Sequence, residues 1–198
     1  MAEQGLDGPV IGLTLDGNGY GPDQTVWGGE VLLADYHTYE RLAHLSNVEM
    51  PGGDAAIQEP WRMAVSHLYR AYGPEYKDLN LPILQDHTDN IAVIEQMIEK
   101  SINSPLTSSC GRLFDSVAAL IGLRHTVSYE GQAAAELEML LDPASEEESY
   151  YPFEITQSRD KPWKLQTAPV IRGVVEDILT NTPEQLVSKK FHNTLAAL

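Results

Sequence analysis

The stretch Val10-Ile11-Gly12-Leu13-Thr14-Leu15-Asp16-Gly17-Asn18-Gly19-Tyr20-Gly21 says most about the fold of this chain. Its apolar, partly β-branched run, residues 10–15, stops at Asp-Gly, which is how a strand commonly ends. Residues 16–24 then hold glycine and proline breakers, and an apolar pattern resumes over residues 26–33. Two apolar runs flanking such a segment predict a hairpin with a long glycine-rich turn and the glycines at its tip. That hairpin is expected at the edge of a sheet.

Outward from the hairpin the pattern turns helical. A short helix is expected around residues 39–45, then a turn at Pro51-Gly52-Gly53-Asp54 with Asp54 capping a helix over residues 55–72. Pro60 falls in that helix's first turns, where proline is best tolerated. A further helix is read over residues 89–103. Another follows Ser108-Ser109, with Leu113, Val117, Leu120 and Ile121 spaced for one apolar face and Gly122 ending it. Residues 131–141, rich in Ala, Glu and Leu, predict the next helix. The acidic stretch 142–150 reads as a linker, 153–157 and 164–168 as strands, and 170–179 and 183–198 as helices. The last of these breaks off in mid-pattern at Ala196-Ala197-Leu198, so the chain is expected to stop early. The fold class is mixed α/β and helix-rich.

Composition removes several kinds of function. The 29 acidic residues outnumber the 13 basic ones, which are scattered, so a nucleic-acid backbone would be repelled. No apolar run is long enough to span a membrane and the N-terminus lacks the regions of a signal peptide, which predicts a cytoplasmic protein without a membrane partner. A single cysteine, Cys110, allows neither an internal disulfide nor a cysteine-based zinc site.

Three segments carry residues suited to chemistry. Asp16-Gly17-Asn18-Gly19 follows a strand, and its alternate glycines let backbone N–H groups approach a phosphate. A plain turn explains the same glycines, and Asp16 reads either as a turn residue or as a hard oxygen ligand. In Ser108-Ser109-Cys110-Gly111-Arg112-Leu113-Phe114-Asp115, the helix places Arg112 and Asp115 on neighbouring surface. That pair reads as a surface ion pair or as a site where Asp115 binds sugar hydroxyls. Tyr129-Glu130-Gly131-Gln132 opens the next helix, with Glu136 and Glu138 in its first turns, where acids complement the helix dipole. Cys110 has no His or Asp at a recognisable spacing and reads as a small buried residue. No two histidines stand four apart, so a complete metal site within the chain is not expected.

Taken in order, residues 12–21, Trp27-Gly28-Gly29-Glu30, Leu42-Ala43-His44-Leu45, Pro51-Gly52-Gly53-Asp54-Ala55-Ala56, Glu59-Pro60-Trp61-Arg62, residues 108–115 and residues 128–134 closely resemble the HypF hydrogenase-maturation carbamoyltransferases. The likeness runs from residue 9 to about 140, is faint from about 145 to 187, and returns at Phe191-His192-Asn193-Thr194-Leu195. It implies part of a two-lobed, actin-like and sugar-kinase-like ATPase fold similar to the tRNA threonylcarbamoyl-adenosine synthases. Residues 1–198 then form one incomplete carbamoyl-transfer domain. Its parts are a hairpin-containing segment at 1–54, a helical nucleotide-site segment at 55–141, and a loop, strands and terminal helices at 142–198.

By the same resemblance Asp115 and Glu136 bind the ribose of a nucleotide, and Gly17, Gly19 and Gly131 also belong to the nucleotide site. Asp16 matches an aspartate metal ligand, for zinc or iron. Glu130 and Gln132 stand where the synthases have Pro and Gly. A complete enzyme of this kind uses carbamoyl phosphate and ATP, forms carbamoyl adenylate, and carbamoylates the C-terminal cysteine of a partner, HypE. The resemblance places a histidine pair for the metal upstream of Met1 and a second aspartate beyond Leu198, with acylphosphatase, zinc-finger and adenylate-forming domains also outside. The isolated chain is therefore expected to be incomplete and inactive. A sugar O-carbamoyltransferase relative, or a non-catalytic nucleotide- or partner-binding fragment, remains the alternative.

Overall fold

The structure, a computed structural model, describes residues 1–157, 159 and 161–198. Strand β1 (Val10–Tyr20) pairs antiparallel with β2 (Val26–Ala34), which pairs antiparallel with β3 (Tyr39–Leu45). Two short strands, β4 (Val48–Glu49) and β5 (Leu106–Thr107), extend the sheet, β5 running parallel to β2 at Val26. On the other flank β7 (Trp163–Gln166) lies parallel to β3 and antiparallel to β6 (Glu154–Thr156). The result is a seven-stranded mixed sheet in which β1 pairs with β2 alone, so the hairpin does form at an edge.

Its glycines do not sit at the tip. β1 runs straight through them, and the register jumps from Leu15 opposite Gly29 to Gly19 opposite Trp27, leaving Asp16, Gly17 and Asn18 facing Gly28 as a bulge. The turn lies further on, where Gly21 N–H donates to the Thr25 carbonyl and Asp23 accepts from the Thr25 amide and the Trp27 indole. Residues 39–45 are likewise not helical. Their Leu, Ala, Glu and Arg suit a helix locally, but a tight turn with Asp35 Oδ1 accepting from the amides of His37 and Thr38 folds them back on β2, and ladder pairing overrides propensity.

Helices α1 (Ala55–Gln58) and α2 (Pro60–Tyr72) replace the expected single helix. Glu59, forced out of the helical region by the proline after it, has φ −124° and ψ 73°. The Pro51–Asp54 turn is present, but Asp54 makes no capping hydrogen bond. Next come α3 (Pro82–Asp86), α4 (Thr88–Glu99), α5 (Cys110–Leu120), α6 (Gln132–Met139), α7 (Ala168–Leu179) and α8 (Glu184–Ala197). One apolar core joins them through Leu68, Ile94, Leu113, Val117, Leu137, Ile171, Val174 and Phe191. Residues 142–153 belong to no helix or strand.

Candidate functional site

The start of α5 is built against the bulge of β1 with no side chain between them. A Cβ on Gly111 would stand 2.7 Å from Gly17 Cα, and one on Gly28 would stand 2.4 Å from the Asp16 carbonyl oxygen and 3.1 Å from Ser109 Cα. Only glycine permits backbone to approach backbone this closely. Ser109 fastens the junction: its hydroxyl caps α5 by accepting from the Arg112 amide at 3.1 Å and donates to the carbonyls of Asp16 and Gly17.

Between bulge and helix opens a pocket of about 370 Å³ lined by Asp16, Gly17, Arg112, Asp115, Glu130 and Gly131, with Leu15, Phe114 and Ala134 as its apolar part. Its size lies in the small-molecule range. Gly131, left-handed at φ 80°, precedes α6 and turns the chain so that Glu130 faces the bulge, Oε1 standing 3.1 Å from where a Gly17 Cβ would be.

Arg112 and Asp115 are 2 % and 3 % exposed, so the pair is not a surface ion pair. Burial was missed because an i, i+3 spacing says nothing of what packs over it. Arg112 Nη2 approaches Asp115 Oδ2 to 2.8 Å, yet the contact is misaligned: Oδ2, and Nε and Nη1 of Arg112, have no hydrogen-bond partner among the described residues. Burial raises the Asp115 carboxyl to about 6, the Arg112 charge opposing this and Glu130 adding to it. Such an underbonded pair suits a ligand that brings its own hydroxyl donors and acceptors.

The pocket thus gathers Asp16, Gly17, Asp115 and Gly131 from among the residues expected to form a site, and leaves two outside. Gly19 lies in the ladder against Trp27. The Glu136 carboxylate is held by Arg124 and Gln132, which keep its pKa below the ordinary value. Cys110 is buried, and desolvation together with Glu30 pushes its thiol up to about 12, which suits packing and not nucleophilic attack. Arg112 and Glu130 were not expected as site residues. Their signal was position: each is a charge beside a glycine, Gly111 where the helix meets the bulge and Gly131 in the left-handed turn before α6. For metal, Asp16 offers one carboxylate, already accepting from its neighbour's amide at 2.6 Å, and no set of three ligating side chains exists among the described residues.

Comparison with known proteins matches residues 12–198 to the family described as carbamoyltransferase, Kae1-like domain, second subdomain. The chain belongs to the HypF carbamoyltransferase family. HypF2 of Cupriavidus necator is 44 % identical over 149 residues, covering 75 % of this chain and 18 % of the relative. HypF of Synechocystis is 35 % identical over 212 residues, covering 100 % of this chain and 27 % of the relative. Among solved structures, full-length HypF in its phosphate- and nucleotide-bound form superposes with a TM-score of 0.91 at 38 % identity, covering 100 % of this chain and 30 % of that one. HypF from T. kodakarensis gives 0.82 at 29 % identity, covering 99 % and 26 %. The chain therefore spans less than a third of the length of these HypF proteins. No helix among the described residues is long and apolar enough to cross a membrane.

Proposed function

We propose that this chain forms part of the carbamoyl-transfer site of a HypF enzyme and that the pocket between the β1 bulge and α5 receives the nucleoside portion of carbamoyl adenylate. The observation carrying this reading is the buried, underbonded Asp115 carboxylate beside Asp16, Glu130 and Gly131. A carboxylate accepts two ribose hydroxyls without competing internal donors. The nucleotide in the matching full-length HypF structure supports the same ligand class. In the full reaction, ATP and carbamoyl phosphate supply carbamoyl adenylate. The C-terminal cysteine sulfur of HypE then bonds to the carbamoyl carbon as the bond to AMP breaks, and AMP leaves with the electron pair. Asp115, Glu130 and Gly131 would hold and orient the leaving nucleotide. Zinc or iron, if held at Asp16, would polarise the carbamoyl oxygen, with its remaining ligands coming from outside these residues. Glu136 contributes to the ribose only if it exchanges Arg124 for the ligand.

Calorimetric titration with AMP tests the pocket. Asp115→Asn is expected to weaken binding by about 10- to 100-fold, the worth of a charge-assisted pair of hydrogen bonds. Unchanged affinity in Asp115→Asn would sink the assignment. In a polypeptide of full HypF length, carbamoylation of a peptide ending in cysteine, and not of a sugar hydroxyl, separates this reading from a sugar O-carbamoyltransferase.

A further inference from the structure

We infer that Glu30 is a positioning residue that sets the separation between the two walls of this pocket, the Asp16–Asn18 bulge and α5; the inference rests on the nucleotide reading of the pocket. Glu30 is 1 % exposed and does not line the pocket, yet its carboxylate accepts four hydrogen bonds. Oε2 accepts from the amides of Gly28 and Gly29 at 2.7 and 2.8 Å, Gly28 facing the bulge and Gly29 being the last residue in register before it. A bulge deprives amides of regular ladder acceptors, and here a side chain takes that place. Oε1 accepts from the Ser108 hydroxyl and from Arg41 Nη2 at 2.7 Å.

Ser108 immediately precedes the α5 cap, Ser109, whose hydroxyl holds the carbonyls of Asp16 and Gly17. The contacts therefore close a ring: β2, Glu30, Ser108, Ser109, the bulge, and β2 again. The ring has no slack, because the Gly28 backbone already lies against both Asp16 and Ser109. Arg41 supplies the countercharge and is itself fixed, with Nη1 3.1 Å from Asp23 and the guanidinium 4.0 Å over the Trp27 ring. The Trp27-Gly28-Gly29-Glu30 segment thus acts as a unit: Trp27 holds Arg41, Arg41 neutralises Glu30, and the glycines admit the bulge. The group must be a carboxylate because all four of its partners are donors, and an amide would turn N–H groups toward some of them.

The test measures AMP affinity and the unfolding midpoint for wild type, Glu30→Gln, Ser108→Ala, Asp16→Asn and the double variant Glu30→Gln with Asp16→Asn. Glu30→Gln and Ser108→Ala are expected to weaken AMP binding by about tenfold, since small misplacements of a binding group carry costs of this order. Positioning through the bulge predicts that the double variant binds no worse than the weaker single variant. Additive losses, or normal affinity in folded Glu30→Gln and Ser108→Ala, reduce Glu30 to a stabilising residue and overturn the inference. Ser108→Ala keeps the test decisive should Glu30→Gln fail to fold. If wild type takes up no AMP, the nucleotide reading fails separately, and the amide resonances of Gly17 and Arg112 decide the positioning claim. They must shift in Ser108→Ala, and unmoved resonances overturn it.

Discussion

Two buried carboxylates on either side of one helix start are treated in opposite ways. Glu30 receives four donors, an aligned guanidinium among them, whereas Asp115 faces a guanidinium that approaches within 2.8 Å without forming a hydrogen bond. Burying a charge costs several kcal/mol unless geometry returns it, so the Glu30 region is built to stay as it is. The Asp115 region retains unspent bonding capacity, which is what a binding wall needs.

The largest effect that can break this comparison is on stability. Glu30→Ala leaves two buried amides without their acceptor and Arg41 with Asp23 as its one remaining carboxylate partner, and is expected to destabilise the chain by about 4 kcal/mol in urea unfolding. A loss at Asp115→Ala as large as that at Glu30→Ala would erase the distinction.

Second, pH sharpens it. The folded Asp115 carboxyl is raised from 3.8 to about 6, so its contribution to stability is present below pH 3.8 and is lost as pH rises through 6. His67, fully buried in α2, has the opposite sign: desolvation lowers it from 6.5 to about 4, so its contribution is present above pH 6.5 and is lost as pH falls through 4. Each slope amounts to about 3 kcal/mol, and in the wild type they oppose one another. Asp115→Asn removes one of them. Denaturation at pH 7 and pH 4 should show a larger loss of stability on acidification in that variant than in the wild type; parallel profiles would remove the claim that Asp115 is underbonded.

The smallest effect is expected at Cys110, which shares the pocket wall but is inert. Cys110→Ala should change stability by about 1 kcal/mol or less. Iodoacetamide at pH 8 should label the thiol only after unfolding, because burial holds its pKa at about 12. Rapid labelling of the folded protein would return the cysteine to consideration as a nucleophile.

How much of this was legible depends on whether the signal was local. The α5 helix could be read from the spacing of Leu113, Val117 and Leu120 and from the glycine after it, because one buried face leaves a period in the sequence. The β1 strand was legible as an apolar run, but Ile11 and Leu13 are 71 % and 65 % exposed, since apolar character names a strand without saying which face is covered. β3 was misread because its pairing with β2 is set by the Asp35 turn and not by its own residues. In the site, Asp16, Gly17, Asp115 and Gly131 came from ordered resemblance to HypF, whereas Arg112 and Glu130 depend on how two backbones meet. Glu30 lies 78 residues from Ser108 in sequence, and no spacing rule reaches across such a gap.

The close approaches of backbone to backbone also determine how freely this protein can vary. Gly8 has open space where a side chain would go, but at Gly28 and Gly29 a single methyl group would stand 2.4 Å from a carbonyl oxygen of Asp16 or Ser108. A saturation library should therefore tolerate almost any residue at position 8 and recover little except glycine at 28 and 29. The room for evolutionary drift along one short stretch of chain is then set by helix placement, and it narrows at the junction where the pocket begins.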